Sequence, residues 1–184
     1  KDREILMKSS WDNARSRLPW LFASWVGGIC AAAVIGIFDN TLQGTLALAA
    51  FIPVIIGMGG NIGTQTSTLV VRGLATGRVN VGNNINIIFK EIQVGMILGI
   101  LYGLLLGLFA IMRFMDISPY LGLVVGLGIA SSMLIATAFG SLVPLLLHRM
   151  DIDPAIATGP FVTTSIDILG VTLYLVIAKI FLPV

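Results

Sequence analysis

The residue with the clearest capacity for chemistry is Asp167, the one acidic residue well inside the last long apolar stretch of the chain. A carboxylate at the centre of a membrane-spanning helix costs about 2.5–3.5 kcal/mol on insertion scales, so such residues are functional candidates by default. The nearest basic residues, Arg149 and Lys179, stand at the two ends of that stretch. We therefore expect Asp167 either to be protonated or to pair with a mobile cation.

The composition indicates that this carboxylate lies in a membrane. Of the 184 residues, 57% are hydrophobic and 11% are charged, whereas soluble domains carry about 25% charged residues. The net charge of +2 is too small to indicate a nucleic-acid partner. One cysteine, Cys30, excludes an intrachain disulfide and a metal site built from cysteines. We predict an all-α integral membrane protein in contact with lipid.

Five apolar stretches reach the length of about 20 residues that a membrane-spanning helix needs. They cover approximately residues 18–38, 42–71, 86–112, 120–147 and 155–182. With a cytoplasmic N-terminus, only Arg113 and Lys179 of the 11 basic residues lie outside, as the positive-inside rule requires. We expect a multi-pass protein of the cytoplasmic membrane with its C-terminus outside.

Residues 1–17 are polar and basic, with Leu6 and Trp11 interleaved. This pattern predicts an amphipathic connecting helix on the cytoplasmic membrane surface, although an ordinary solvated connector is the alternative. Residues 18–184 would form the five-helix pore domain. Because the chain does not begin with Met, we expect it to be a fragment or a processed product, and a soluble regulatory domain upstream would lie outside this sequence.

The second span combines glycine and polar residues in a way that lipid on all sides would not tolerate. Residues 57–68 include four glycines, one of them Gly60, and six polar residues. On a helix, Asn61, Gln65 and Thr68 share one face, with Thr64 beside them. We predict that these residues and Gly60 line a path for a hydrated ion. The alternative is polar contact between helices.

In the fifth span, helical spacing places Thr163, Asp167, Gly170 and Tyr174 on one face. Gly170 would leave room beside the carboxylate, and Thr163 would orient the carboxylate or a bound water. Asp153 followed by proline predicts the start of this helix. Asp167 would then lie about 20 Å from the inner helix end, near or somewhat beyond the middle of the membrane.

Three spans carry an internal proline: Pro53, Pro144 and Pro160. Each proline frees the carbonyl four residues back, which for Pro160 belongs to Ile156. At membrane depth a free carbonyl is tolerated only against protein or a water-filled cavity. We predict that the second, fourth and fifth spans surround an aqueous path, with the first and third outside. Simple kinks relieved by neighbouring helices are the alternative.

The third and fourth spans carry small residues at intervals of four. They are Gly95, Gly99, Gly103 and Gly107, then Gly122, Gly126 and Ala130. Such ridges let helix backbones approach closely in lipid, so we interpret them as structural. Lys90 and Glu91, at the start of the third span, are interpreted as a charge pair at the membrane interface; a contribution of Glu91 to an inner mouth of the path is the alternative.

The ion can be inferred from the ligand types. Two copies of Asp167 across a two-fold axis would place a charge of −2 in one path, which suits a divalent cation. Oxygen ligands favour hard ions such as Mg²⁺, Mn²⁺ or Ca²⁺. Mg²⁺ sheds water reluctantly and is often held by one or two carboxylates.

Nearly the whole chain resembles the membrane domain of the MgtE family of magnesium channels. The matching positions are 17–21, 53, 59–65, 72–75, 90–91, 140–144, 153–155, 159–160 and 167–170. The resemblance implies a homodimer with the ion path between its subunits, lined by the second and fifth helices, and with Asp167 as the selectivity carboxylate. Members of the family usually carry cytosolic domains, including paired CBS domains, that close the pore when magnesium is plentiful.

Three other functions are alternatives to a passive channel. An ion-coupled secondary transporter also has broken helices around a site at the membrane midplane. An intramembrane aspartyl protease would need a second carboxylate to share a proton with Asp167, and the spans supply none at that depth. A structural scaffold is the third. We predict a channel and no enzymatic activity.

Overall fold

The computed structural model describes residues 9–78, 84–114, 116–152 and 154–182, without the side chains of residues 84 and 154–158. All regular secondary structure in these ranges is helical. The helices are α1 (Ser10–Ile37), α2 (Asp39–Gly44), α3 (Ala47–Ala75), α4 (Asn84–Arg113), α5 (Leu121–Arg149) and α6 (Pro154–Phe181). By length and composition, all of these except the short α2 can cross a membrane. The predicted all-α class and the five spans are confirmed.

The helix ends differ from the predicted spans in two places. α1 begins at Ser10, where the Ser9 hydroxyl accepts a hydrogen bond from the Trp11 backbone N–H. Residues 10–17 of the predicted surface segment therefore continue directly into the first span, while residues 1–8 lie outside the described part. The second span begins at Ala47 and not near residue 42, because the short helix α2 occupies residues 39–44.

Helix α5 lies at the centre of the bundle and is the most buried of the five spans. It packs against α3, α4 and α6, and α3 also packs against α6. The core between them contains Ile55, Ile129, Met133 and Ile166. α1 packs mainly on α6, and α4 mainly on α5. The second, fourth and fifth spans thus pack together, with the first and third on the outside, as expected. The aqueous path that these three spans would surround stays a prediction.

The role predicted for the fourth span needs correction. Pro144 is buried in the bundle core, and α5 contributes no residue to the two polar grooves described below. The helix carrying Pro144 therefore supports the other spans from behind. The two polar grooves are lined by α3 and α6, with α1 at one side.

Candidate functional site

Asp167 lies half-buried on α6, in a groove of about 350 Å³ between α6 and α1. Small residues of α1, among them Ser24 and Gly28, form one wall, and Ile56 of α3 closes part of the other. Within the described part of the chain the carboxylate accepts no hydrogen bond and forms no ion pair. The oxygens of this carboxyl group are thus available to a ligand that enters the groove.

The backbone of α3 passes directly beside this carboxylate at Gly60. A Cβ atom placed on Gly60 would lie 3.8 Å from Asp167 Oδ1. Among the described residues outside this stretch of α3, no other heavy atom lies within 4 Å of that position. Glycine here keeps the space next to the carboxylate open. The predicted inclusion of Gly60 in the site agrees with this geometry.

Gly170 and Tyr174 do not face the groove, which corrects the predicted position of Gly170. Gly170 is buried, and a Cβ atom there would lie 2.7 Å from Ser132 Oγ of α5. Tyr174 is fully buried, and its hydroxyl donates a hydrogen bond to the Leu48 carbonyl at 3.0 Å. The two residues turn towards the bundle, so the room beside the carboxylate comes from Gly60.

Thr163 lines the same groove one turn before Asp167. Its hydroxyl donates to the carbonyl oxygens of Gly159 at 3.0 Å and Pro160 at 3.2 Å. The lone pairs of this hydroxyl remain available to a bound water or ion, which fits the predicted role. The side chain of Ile156 and the whole of Asp153 lie outside the described residues. α6 nevertheless begins at the predicted residue, Pro154.

The polar face predicted on the second span is present on α3. Asn61, Thr64, Gln65 and Thr68 are all exposed and line one open groove of about 510 Å³. The two threonine hydroxyls donate to carbonyls one turn back, Thr64 to Gly60 and Thr68 to Thr64, each at 2.8 Å. This face points away from the bundle, although α3 has the length and hydropathy of a membrane span.

The opposite face of α3 carries a polar contact that sequence reasoning missed. Thr66 is 2% exposed, and its hydroxyl donates to Glu91 Oε2 of α4 at 2.9 Å. The predicted pairing of Glu91 with Lys90 is replaced by this contact between helices. Neither residue carried a sequence signal for the other, because they are 25 positions apart on different helices. Their helices are brought together by α5, against which both pack.

The fold and the site together define a multi-pass helical membrane protein. One of its spanning helices presents a polar face at the side of the bundle, and a second presents a carboxylate beside that face. This arrangement is typical of proteins that move polar solutes or ions across a membrane, because intramembrane ionisable groups mark such pathways.

Comparison with known proteins identifies the family. A family model described as "MgtE: Divalent cation transporter" matches residues 52–177. The magnesium transporter MgtE of Bacillus subtilis (strain 168) is 35% identical over 92% of this chain. Those of Thermus thermophilus and Enterococcus faecalis are 34% identical over 91% and 33% identical over 98%. The chain belongs to the MgtE family and corresponds to its transmembrane domain. It spans 36% to 40% of the length of these relatives.

Proposed function

We propose that this chain forms the pore of a magnesium channel, as a homodimer in which Asp167 of each subunit faces one shared ion path. The observation that carries this proposal is the position of Gly60, on the polar helix α3, beside the open carboxylate: a Cβ atom on Gly60 would lie 3.8 Å from Asp167 Oδ1. The names of the relatives, which are magnesium transporters, support Mg²⁺ as the transported ion.

The exposed face of α3 supports a second copy of the chain as the partner. In a monomer, the amides of Asn61 and Gln65 would face hydrocarbon. Each unsatisfied polar group there costs several kcal/mol. If a two-fold axis lies beside α3 and α6, the exposed faces of these two helices would be covered by the same faces of the partner subunit. The amides, hydroxyls and water would then line a polar path between subunits.

The chemistry of the lining supports passage of a hydrated ion. Two carboxylates in a low-dielectric surrounding attract a divalent cation far more strongly than they would in water. Mg²⁺ keeps most of its water shell in proteins, whereas Ca²⁺ exchanges water for protein oxygens readily. Thr163 and the amides of Asn61 and Gln65 would bind the outer surface of that shell. Mg²⁺ would therefore pass in preference to Ca²⁺.

The positive-inside distribution supports an inner-membrane orientation with the N-terminus in the cytoplasm. Residues 1–17 would then connect the pore domain, residues 18–184, to regulatory domains in the cytosol. The share of the relatives that the chain covers, 36% to 40%, is consistent with such additional domains.

The test of the ion site is Mg²⁺ influx into proteoliposomes, followed with an entrapped Mg²⁺-sensitive dye. We expect Asp167→Ala and Asp167→Asn to abolish influx while the protein still elutes as a folded dimer. Asn preserves shape but not charge, so equal loss in both variants assigns the role to charge. The matched control is Asp39→Asn, because Asp39 already bonds Gln43 within the short helix α2. Normal influx by Asp167→Ala would refute the assigned site.

The same vesicles separate a channel from a coupled transporter. A channel passes Mg²⁺ under a voltage alone, at a rate that scales with the voltage. A strict requirement for a proton or sodium gradient would instead establish ion-coupled secondary transport.

The dimer axis is tested by cysteine cross-linking after Cys30→Ser removes the exposed native thiol. We expect Gln65→Cys to form a disulfide-linked dimer in the membrane. Ile97→Cys is the matched control, because Ile97 is exposed on α4 at the other side of the bundle. Cross-linking through residue 97 and not through residue 65 would place the interface on α4.

A further inference from the structure

On the side of α6 that faces the bundle core, the helices α3, α5 and α6 meet at one serine. Ser132 of α5 is fully buried. Its hydroxyl donates a hydrogen bond to the Ile55 carbonyl of α3 at 3.3 Å. This bond joins α5 to α3 across 77 positions of sequence, and the proposed function does not use it.

The same hydroxyl fills the space left by two glycines on two different helices. A Cβ atom on Gly59 of α3 would lie 2.5 Å from Ser132 Oγ, and one on Gly170 of α6 would lie 2.7 Å from it. Both distances are too short for a real Cβ atom. The serine thus sets how closely α3 and α6 approach α5 at this level.

Both glycines are adjacent to the ion site. Gly59 precedes Gly60, which faces Asp167 Oδ1, and Gly170 lies one helical turn after Asp167. A shift of α3 or α6 relative to Ser132 therefore changes the distance between Gly60 and the carboxylate. In contrast, Ser141 of the same helix is also buried, but its hydroxyl donates only to Thr137 and Ala138 of α5 itself.

We propose that Ser132 is a positioning residue for the ion site. By holding α3 and α6 at a fixed spacing behind Asp167, it sets the room available to a hydrated cation and so contributes to selectivity for Mg²⁺ over Ca²⁺. This inference rests on the proposed function, because it assigns Ser132 an effect on the ion that Asp167 binds.

The substitutions exploit the fact that one oxygen atom faces both glycines. Gly170→Ala alone places its new methyl group against Ser132 Oγ, so α6 must move. Ser132→Ala removes that oxygen, and the nearest remaining atom, Ser132 Cβ, lies 3.5 Å from the new methyl position, an ordinary contact. Ser132→Ala should therefore rescue Gly170→Ala. Ser141→Ala in the same helix is the matched control.

Selectivity is measured as the ratio of Mg²⁺ to Ca²⁺ influx at equal amounts of folded dimer. We expect Ser132→Ala to lower the ratio by about three- to tenfold, the effect of one lost hydrogen bond. Gly170→Ala should lower it further, and the double variant should return to the value of Ser132→Ala. Unchanged ratios in Ser132→Ala, or additive losses in the double variant, would overturn the proposal. A merely structural serine would change the yield of folded protein and leave the ratio intact.

A second measurement reports the distance between α3 and α6 and does not depend on ion transport. In the Cys30→Ser background, Gly60→Cys and Asp167→Cys form a disulfide within one subunit at a rate set by the distance between α3 and α6. We expect Gly170→Ala to slow this reaction and Ser132→Ala to restore the rate in the combined variant. Equal rates in all variants would overturn the positioning role. Altered rates together with normal Mg²⁺ influx by Asp167→Ala would instead refute the proposed function alone.

Discussion

Glycine brings helices together in two regions of this bundle, with different results. Between α4 and α5, a Cβ atom on Gly103 would lie 2.8 Å from the Gly126 carbonyl oxygen, and one on Gly107 would lie 2.7 Å from the Gly122 carbonyl oxygen. There, backbone touches backbone. Between α3 and α6, the glycines of α3 face side chains instead: Gly63 faces Ile166, and Gly60 faces Asp167.

The two kinds of glycine contact have different consequences. A glycine against backbone stabilises the pair of helices, whereas a glycine against a side chain is able to leave room for a ligand. Two backbones in contact gain dispersion and weak Cα–H···O interactions, and they leave no space for a ligand. A glycine that faces a side chain leaves space whose use depends on that side chain. Ile166 fills its space, whereas the carboxylate of Asp167 stays open to the groove beside α1. Substitutions at three glycines test this distinction.

The largest loss of stability is expected at the backbone contact. Gly107→Val would force α4 and α5 apart, because the Gly122 carbonyl cannot move independently of its helix. We expect a loss of about 3 kcal/mol, at the upper end for overpacked sites, seen as a much lower melting temperature of the detergent-solubilised protein. Mg²⁺ selectivity of the folded fraction should not change. An unaltered melting temperature would show that the two backbones are not in contact.

A smaller loss is expected where glycine faces a flexible side chain. A Cβ atom on Gly63 meets Ile166 Cδ1, the far end of a side chain that is able to shift. We expect Gly63→Ala to cost about 1 kcal/mol and Ile166→Val, which removes Cδ1, to recover most of that loss in the double variant. Thermal unfolding of the wild type, the two single variants and the double variant gives the coupling free energy between positions 63 and 166. Strict additivity would mean that these two groups do not touch.

The smallest change in stability is expected at the proposed ion site. Gly60→Ala adds a methyl group 3.8 Å from Asp167 Oδ1, which is an ordinary contact. Stability should change by less than about 0.5 kcal/mol, the usual limit for substitutions that disturb no contact. Mg²⁺ influx should nevertheless fall, because the methyl group takes space from the water shell of the ion. Gly36→Ala is the control: nothing lies within 4 Å of its Cβ position, and Gly36 lies near the end of α1, outside both polar grooves, so influx should stay normal.

Much of the site was predictable because its residues lie within single helices. Asn61, Gln65 and Thr68 share a face through helical periodicity alone, and the structure confirms that they line one groove. The cost of a carboxylate in a membrane identifies Asp167 without any knowledge of its neighbours. The partners of Gly170 and Thr66 were not predictable, since Ser132 and Glu91 belong to other helices.

The sequence by itself determined the class of the protein, its five spans, the polar face of α3 and the one carboxylate of α6. These follow from hydropathy and from the 3.6-residue period, which are properties of each helix alone. Only the tertiary structure decided which way each helix turns. Packing around α5 directs Gly170 towards Ser132 and brings Gly60 beside Asp167. The physical reason is that periodicity groups residues on a face, whereas the fit of side chains against neighbouring helices selects the direction in which that face points.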